Sequence, residues 1–375
     1  MRDLTLKLSD VDTPALVIDI EAAEKNIQTM RNFLAPKKCK LRAHTKIHRS
    51  PFLAHMELAG GSTGITCAKL GEAEVMAQSG VRDILIANEI VGKFKTQRLA
   101  KLAKYCELKV AVDDLGNARD ISNAVTEAGS HVGLVVDVNL SGGSPEGESK
   151  LEGMLNRCGV PPGKPGADLA VEVAKLPNVH FKGIMGYEGG LPEFPDIEKS
   201  NSVAREALER LVYTKDVIED RGVDVGVVSC GSSSSYRVAS SIPGITEIQA
   251  GSYILMDTYH KKYSPEFEYA LWVMAQVISV PKPDRAILDA GGNSISGDAG
   301  LPQLRIPRRD MKVVELNAEH IHIETGPGVR LTRGDRLEIV PSNIDTTTCL
   351  HDNYVVSRKG EVEMILPILA RGKNQ

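Results

Sequence analysis

Lys46 is the residue whose type and setting most invite chemistry. It lies in Leu41–Pro51, LRAHTKIHRSP, between His44 and His48. A short apolar and basic run ends near the lysine and breaks into a Ser-Pro helix start, which predicts a strand followed by a helix. A charged amine at the end of a buried strand is costly unless paired or used. A lysine whose pKa is depressed by its surroundings forms Schiff bases with carbonyl compounds. Spacing alone fits a solvated lysine past the strand better, and fits the two histidines as ordinary polar residues.

The Gly/Ser stretches come next. Gly231, Ser232, Ser233 and Ser234 in CGSSSSY, with a helix start behind them, could cup a phosphate with backbone N–H groups and hydroxyls. Gly251, Ser252 and Tyr253 follow the next strand-like run and could complete the cup. Arg157 stands after a glycine-rich segment, Leu140–Gly159, and could pair with a carboxylate or a cofactor group. Tyr187, in MGYEGG, could stack on a ring or bond to it. Further on, PSNIDTTTCLHD places Asn343 two residues before Asp345, on one face if the chain is extended. Their oxygens suit Mg²⁺, Mn²⁺ or Ca²⁺. Cys349 and His351 are spaced alike and would suit a softer metal. A plain turn explains this segment better if nothing else is considered, and Asp257 in GSYILMD reads as structural.

These residues need a scaffold. Up to about Gly251, short β-branched runs such as LVVDV and GVVSC alternate with amphipathic stretches such as Glu21–Phe33, Leu70–Ser79 and Ile197–Arg221. Such alternation means parallel strands with crossover helices. It predicts a (β/α)8 barrel of the TIM type, with a doubly wound sheet as the alternative. Nine runs read as strands, one too many, so Ala15–Ile18 belongs elsewhere. From Tyr259 the pattern becomes that of β-strands with Gly and Pro between them. The expected division is a barrel over 20–258 and a C-terminal β-domain over 259–375. In this frame Lys46 ends the first barrel strand, and the Gly/Ser stretches follow the last two. Phosphate sites of barrels lie there.

Bulk properties narrow the function. A net charge of −4 over 375 residues gives no reason to expect nucleic acid or a membrane surface. No apolar run approaches a membrane span, and the polar start MRDLTLKLSD has no signal-peptide core. Six scattered cysteines without a CxxC pair favour a reducing, cytoplasmic setting.

Together the residues identify a family resemblance. DTPALVIDIEAAEKNI, RAHTKIHRSP, NRCGV, KGIMGYEGG, VSCGSSSSY, EIQAGSYILMD, LEIVPSN and HDNYVV match, almost end to end, the pyridoxal-phosphate enzymes of the D-threonine aldolase/D-serine dehydratase group, which have the alanine-racemase-type fold (fold type III). The chain is most similar to 3-hydroxy-D-amino-acid aldolases. The resemblance implies that Lys46 holds pyridoxal 5′-phosphate covalently and that Arg157 and Tyr187 contact it. It implies that Gly231–Ser234, Gly251 and Ser252, with Tyr253 beside them, bind its phosphate. It also implies that 1–19, with the first strand, joins the β-domain of 259–375, and a homodimer acting on a small amino-acid substrate, with residues of the β-domain completing the partner's site. Where the group usually carries His-x-Asp or His-x-Cys as metal ligands, this chain has Asn343-Ile344-Asp345. Only the aspartate remains, so a divalent metal, Mg²⁺ or Mn²⁺, rests on a weaker pair. The segment after Leu140 is also longer than the tight turn of the group.

The implied reaction is retro-aldol cleavage of a 3-hydroxy-D-amino acid to glycine and an aldehyde or oxo acid. His351 is a candidate to assist at the hydroxyl. The alternatives are a dehydratase releasing a 2-oxo acid and ammonia, a racemase or epimerase, and, in another class, a non-catalytic carrier of the cofactor.

Overall fold

The computed structural model describes residues 6–140, 157–189, 196–308 and 310–375. The expected long segment after Leu140 falls, at 141–156, outside the described residues. The chain divides into two compact units. One comprises Arg31–Lys46, Pro51–Gly251 and Lys373–Gln375; the other comprises Met1–Met30, Ile47–Ser50 and Ser252–Gly372.

The first unit is a parallel barrel. Its strands are Lys40–Leu41 with Ala43–His44, Ile65–Cys67, Asp83–Glu89, Glu107–Val112, Val132–Val138, Val179–Gly186, Val227–Cys230 and Glu247–Ile248. Consecutive strands pair in parallel throughout. Closure falls on the first strand, which is split at Arg42. Its lower half pairs with Glu247–Ile248 and its upper half with Ile65–Cys67. Counting the two halves as one strand, eight described strands form the ring. The doubly wound alternative is thereby excluded. Leu85, Ala111, Val135 and Met185, with Ala87 against them, fill the middle of the ring. The helices Leu70–Gln78, Lys93–Leu102, Leu115–Ala128, Lys164–Val173 and Ile197–Glu219 alternate with the strands, each with a buried face. Asp114 caps the helix Leu115–Ala128 through the Asn117 N–H, and Gly129 ends it in the left-handed region. Gly183 has φ +147°, and a Cβ there would come within 1.9 Å of the Val227 carbonyl oxygen. No other residue fits where these two strands approach.

The second unit is built on a sheet in the order Met311–Leu316, Ile321–Thr325, Arg285–Leu288, Leu271–Lys282, Ala15–Asp19, Asn353–Arg358, Glu361–Pro367. Arg336–Val340 pairs with both Leu271–Lys282 and Gln303–Leu304. The surplus strand is here: Ala15–Asp19 runs antiparallel to Leu271–Lys282 and parallel to Asn353–Arg358. Ala15, Val17, Trp272, Met274, Val340 and Val355 form its core. No described helix in either unit is long and apolar enough to cross a membrane.

Candidate active site

In the barrel, Lys46 sits in a short 3-10 turn, Thr45–Ile47, directly after Ala43–His44. The sequence builds that turn through Thr45, which is fully buried. Its hydroxyl donates to Glu72 Oε1 (2.6 Å), and Glu72 Oε2 accepts the Ala68 N–H (2.7 Å). The lysine backbone is thus braced by the neighbouring strand–helix junction. Its own N–H donates to His44 Nδ1 (3.4 Å).

Further round the ring, the serine-rich turn follows Val227–Cys230 and leads into the helix Tyr236–Ala239. Gly231 takes φ +80°, and a Cβ would press on Ile248 Cγ2 at 3.2 Å. Its N–H donates to Glu188 Oε2 (3.1 Å), and the Ser235 hydroxyl donates to Glu188 Oε1. Ser235 Oγ in turn accepts the Ser232 N–H (2.9 Å), and Ser232 Oγ accepts the Ser234 N–H (3.3 Å). The turn is therefore preshaped by a carboxyl beneath it, and Gly231 contributes conformation rather than its N–H. Glu188 is fully buried, and burial pushes its carboxyl up against the pull of the Ser235 and Gly231 donors. Sequence reading singled out Tyr187 and passed over its neighbour. The signal was there: a carboxylate in an apolar strand end needs donors, and a serine-rich turn supplies them.

Tyr187 is 37% exposed, and the Arg157 guanidinium lies 4.8 Å from its ring centroid, in cation–π range. The two residues expected to contact a cofactor ring are therefore together. Beside Arg157 lies a group that the sequence did not announce. Glu89, Asp137 and Cys158 bring their ligand atoms within 4.8 Å of one another. Burial first, and then the Glu89 charge, raise the Asp137 carboxyl to about 8, against a pull from Arg157. Burial and the two acids push the Cys158 thiol up to about 12, so it stays protonated and donates.

The remaining expected residues belong to the second unit. Ser252 and Tyr253 open the 3-10 turn Ser252–Ile254 and are buried. Asn343 and Asp345 do not share a face of extended chain. Asn343 is the N-cap of a short helix, Ile344–Thr348, because asparagine readily accepts a helix N–H. Its Oδ1 takes the Asp345 N–H (3.0 Å), and Asp345 Oδ1 pairs with Arg49 (3.1 Å). Cys349 donates its thiol to the Asp345 carbonyl (3.3 Å). His351 Nε2 lies 2.7 Å from the Ser294 carbonyl oxygen. A carbonyl only accepts, so Nε2 carries the proton and Nδ1 keeps the basic lone pair. Burial lowers the His351 pKa against the Ser294 hydrogen bond, which favours the neutral ring.

Comparison with known proteins places the chain in a family. The family model for the N-terminal domain of alanine racemase matches residues 18–258, and that of a putative serine dehydratase domain matches 270–357. The chain is 34% identical over 376 residues to a 3-hydroxy-D-aspartate aldolase of Paracoccus denitrificans (strain Pd 1222), covering 97% of this chain and 93% of that one. It is 28% identical to a D-threo-3-hydroxyaspartate dehydratase of Delftia sp. (strain HT23), covering 80% and 76%. A crystal structure of D-threonine aldolase from Filomicrobium marinum superposes with a TM-score of 0.91 at 33% identity, covering 98% of both chains. A barrel that offers one lysine at a strand end, a preshaped serine turn and an arginine-backed tyrosine suits an aromatic aldehyde phosphate. With the matches over nearly the whole length, the chain belongs to the pyridoxal-phosphate enzymes of the D-threonine aldolase/D-serine dehydratase group, on the alanine-racemase fold.

Proposed function

We propose that this protein is a pyridoxal-phosphate-dependent carbon–carbon lyase that cleaves a 3-hydroxy-D-amino acid to glycine and an aldehyde or oxo acid. The observation that carries the reading is the similarity, over 97% of the chain, to an aldolase of 3-hydroxy-D-aspartate. The placement of Lys46 after the first barrel strand supports it. The cofactor would be held by Lys46 through its carbonyl, by Arg157 and Tyr187 at its ring, and by Ser232–Ser234, Gly251, Ser252 and Tyr253 at its phosphate, with Gly231 shaping the turn. When bound, it supplies an electron sink for the negative charge left at Cα.

The chain's own residues do the rest. Lys46, which would hold the group, is also the amine placed to move a proton at Cα. His351 Nδ1 is the base we assign to the 3-hydroxyl, because Ser294 fixes the tautomer and burial keeps the ring neutral. Asn343 and Asp345 offer hard oxygens, and Mg²⁺ or Mn²⁺ binds through one or two carboxylates while keeping waters. Such an ion, held by these two residues, would supply Lewis acidity toward the hydroxyl. We take the working form to be a homodimer in the cytoplasm.

Product analysis on a panel of D- and L-3-hydroxy amino acids tests the reading. Glycine plus aldehyde or oxo acid supports it. The Delftia relative favours a second reading, a dehydratase, which would give 2-oxo acid and ammonia instead. Appearance of the enantiomer or epimer alone would overturn both. Turnover that is indifferent to chelation and to added Mn²⁺ or Mg²⁺ would remove the metal.

A further inference from the structure

Three residues of the second unit stand in a hydrogen-bonded line that the proposed reaction does not use. Ser252 Oγ lies 3.3 Å from His260 Nε2, and His260 Nδ1 lies 2.7 Å from Asp257 Oδ1. The same Asp257 oxygen accepts the His260 backbone N–H (2.8 Å), and Oδ2 accepts the Ile344 N–H (3.3 Å). Asp257 is 1% and Ser252 3% exposed, so both are locked by packing. The order is that of an acyl-transfer triad, but here the serine is buried at the head of a 3-10 turn and is assigned to a phosphate.

We propose that Asp257 and His260 make Ser252 a proton-linked phosphate ligand: His260 takes up a proton when the cofactor phosphate binds. This rests on the reading of Ser252 as a phosphate ligand. The argument is one of donors and acceptors. An ionised Asp257 only accepts, so Nδ1 must donate to it. In the neutral ring Nε2 is then a lone pair, and Ser252 bonds to it only by donating its single O–H. The serine oxygen has lone pairs left and nothing to give a phosphate, whose oxygens are acceptors. In the imidazolium, Nε2–H donates to Ser252 Oγ, and the freed O–H can turn to the phosphate. A buried hydroxyl has few other ways to satisfy both ends.

The surroundings leave the switch to this pair. The Tyr259 ring meets His260 edge-on at 5.1 Å, and the Lys262 ammonium sits 5.9 Å from that ring. The Lys261 ammonium is turned onto the carbonyls of Pro265 and Phe267, over the Tyr269 ring at 5.3 Å. Among the described residues, Asp257 is the carboxylate hydrogen-bonded to the imidazole.

The test uses 4′-deoxypyridoxine 5′-phosphate, which keeps the phosphate but has no aldehyde for Lys46. Its affinity for the cofactor-free enzyme is followed by fluorescence between about pH 6.5 and 9. The probe's own phosphate ionises near pH 6 and affects every variant alike. Wild type should lose affinity as pH rises, approaching about tenfold per unit where His260 titrates, the limit for one linked proton. His260→Ala and Ser252→Ala should each lose this extra slope. Asp257→Asn should move the fall to lower pH, because the imidazolium loses its counter-charge. If His260→Ala folds poorly, Ser252→Ala carries the comparison alone. A slope that survives in either alanine variant overturns the proposal. Binding with one and the same pH profile in all variants also overturns the switch, yet leaves the cofactor reading standing. A probe that binds none of the proteins at any pH sinks the cofactor reading itself.

Discussion

The two ends of the barrel interior handle charge in opposite ways. At the end where the strands begin, opposite charges answer one another. Arg42 donates to both oxygens of Glu247 (2.9 and 2.8 Å) and to Asp83 (2.6 Å), and Lys109 completes the group on Asp83 (2.8 Å). Burial pulls the Arg42 guanidinium down, but Glu247 and Asp83 outweigh it and hold the group above its usual range. Burial likewise pushes Asp83 up, and the two cations more than reverse this. At the end where the strands finish, acids crowd together instead: Asp137 beside Glu89, with a protonated thiol between. One end is a satisfied ion-pair network; the other holds an acid in its protonated form against its ordinary tendency to ionise. Barrel enzymes do chemistry at the second kind of end and draw stability from the first.

That contrast can be broken deliberately. Lys46→Ala should lower turnover by more than about ten-thousandfold and abolish the near-visible absorbance of a protein-bound imine; a retained band would sink the assignment. Chemical denaturation should show Arg42→Met losing about 3–5 kcal/mol, since the buried Glu247 is left without its cation while Asp83 keeps only Lys109. Activity per folded molecule should survive, and an equal loss of both would show that the two ends are not separable.

Asp137→Asn should act in the other direction. In the unfolded chain this carboxyl releases its proton near pH 3.8; in the folded chain it holds it to about 8. The folded state therefore carries the extra proton between these values. Its contribution is full below about pH 4 and is lost as the pH rises to about 8. Melting curves of the variant should flatten this fall by about 1–3 kcal/mol across the window. A fall of unchanged size would mean that Asp137 does not hold the proton. The smallest effect is expected for Glu188→Gln. Gly231 and Ser235 donate to different Glu188 oxygens, one of which the amide replaces with an NH2 donor, and cofactor affinity should weaken about tenfold. No change by equilibrium dialysis would show the serine turn to be shaped without Glu188.

Much of this was legible from local pattern. HTKIHRSP placed the lysine after a strand, and the count of β-branched runs detached Ala15–Asp19 from the barrel. What stayed hidden are partnerships between residues far apart along the chain. Glu188 and Ser235 are 47 residues apart, and Asp137 meets Glu89 only because the strands bearing them face one interior. Asp257 reads as structural from its segment, and so it is, but its partners give it more to do. Asn343 shows the opposite failure. An extended reading of N-I-D gave a shared face, whereas the asparagine side chain prefers to cap the helix it begins.

The split first strand also has a consequence for how the protein comes to exist. Arg42 and Glu247, whose bond lies at the seam, are 205 residues apart in sequence. Closing so long a loop is slow and must precede the contacts that reward it. The strand that presents Lys46 gains its lower neighbour only when Glu247–Ile248 arrives. On a ribosome, a chain shorter than about 250 residues has its lysine but no ring to hold it, so cofactor capture is a late event in the life of the nascent protein.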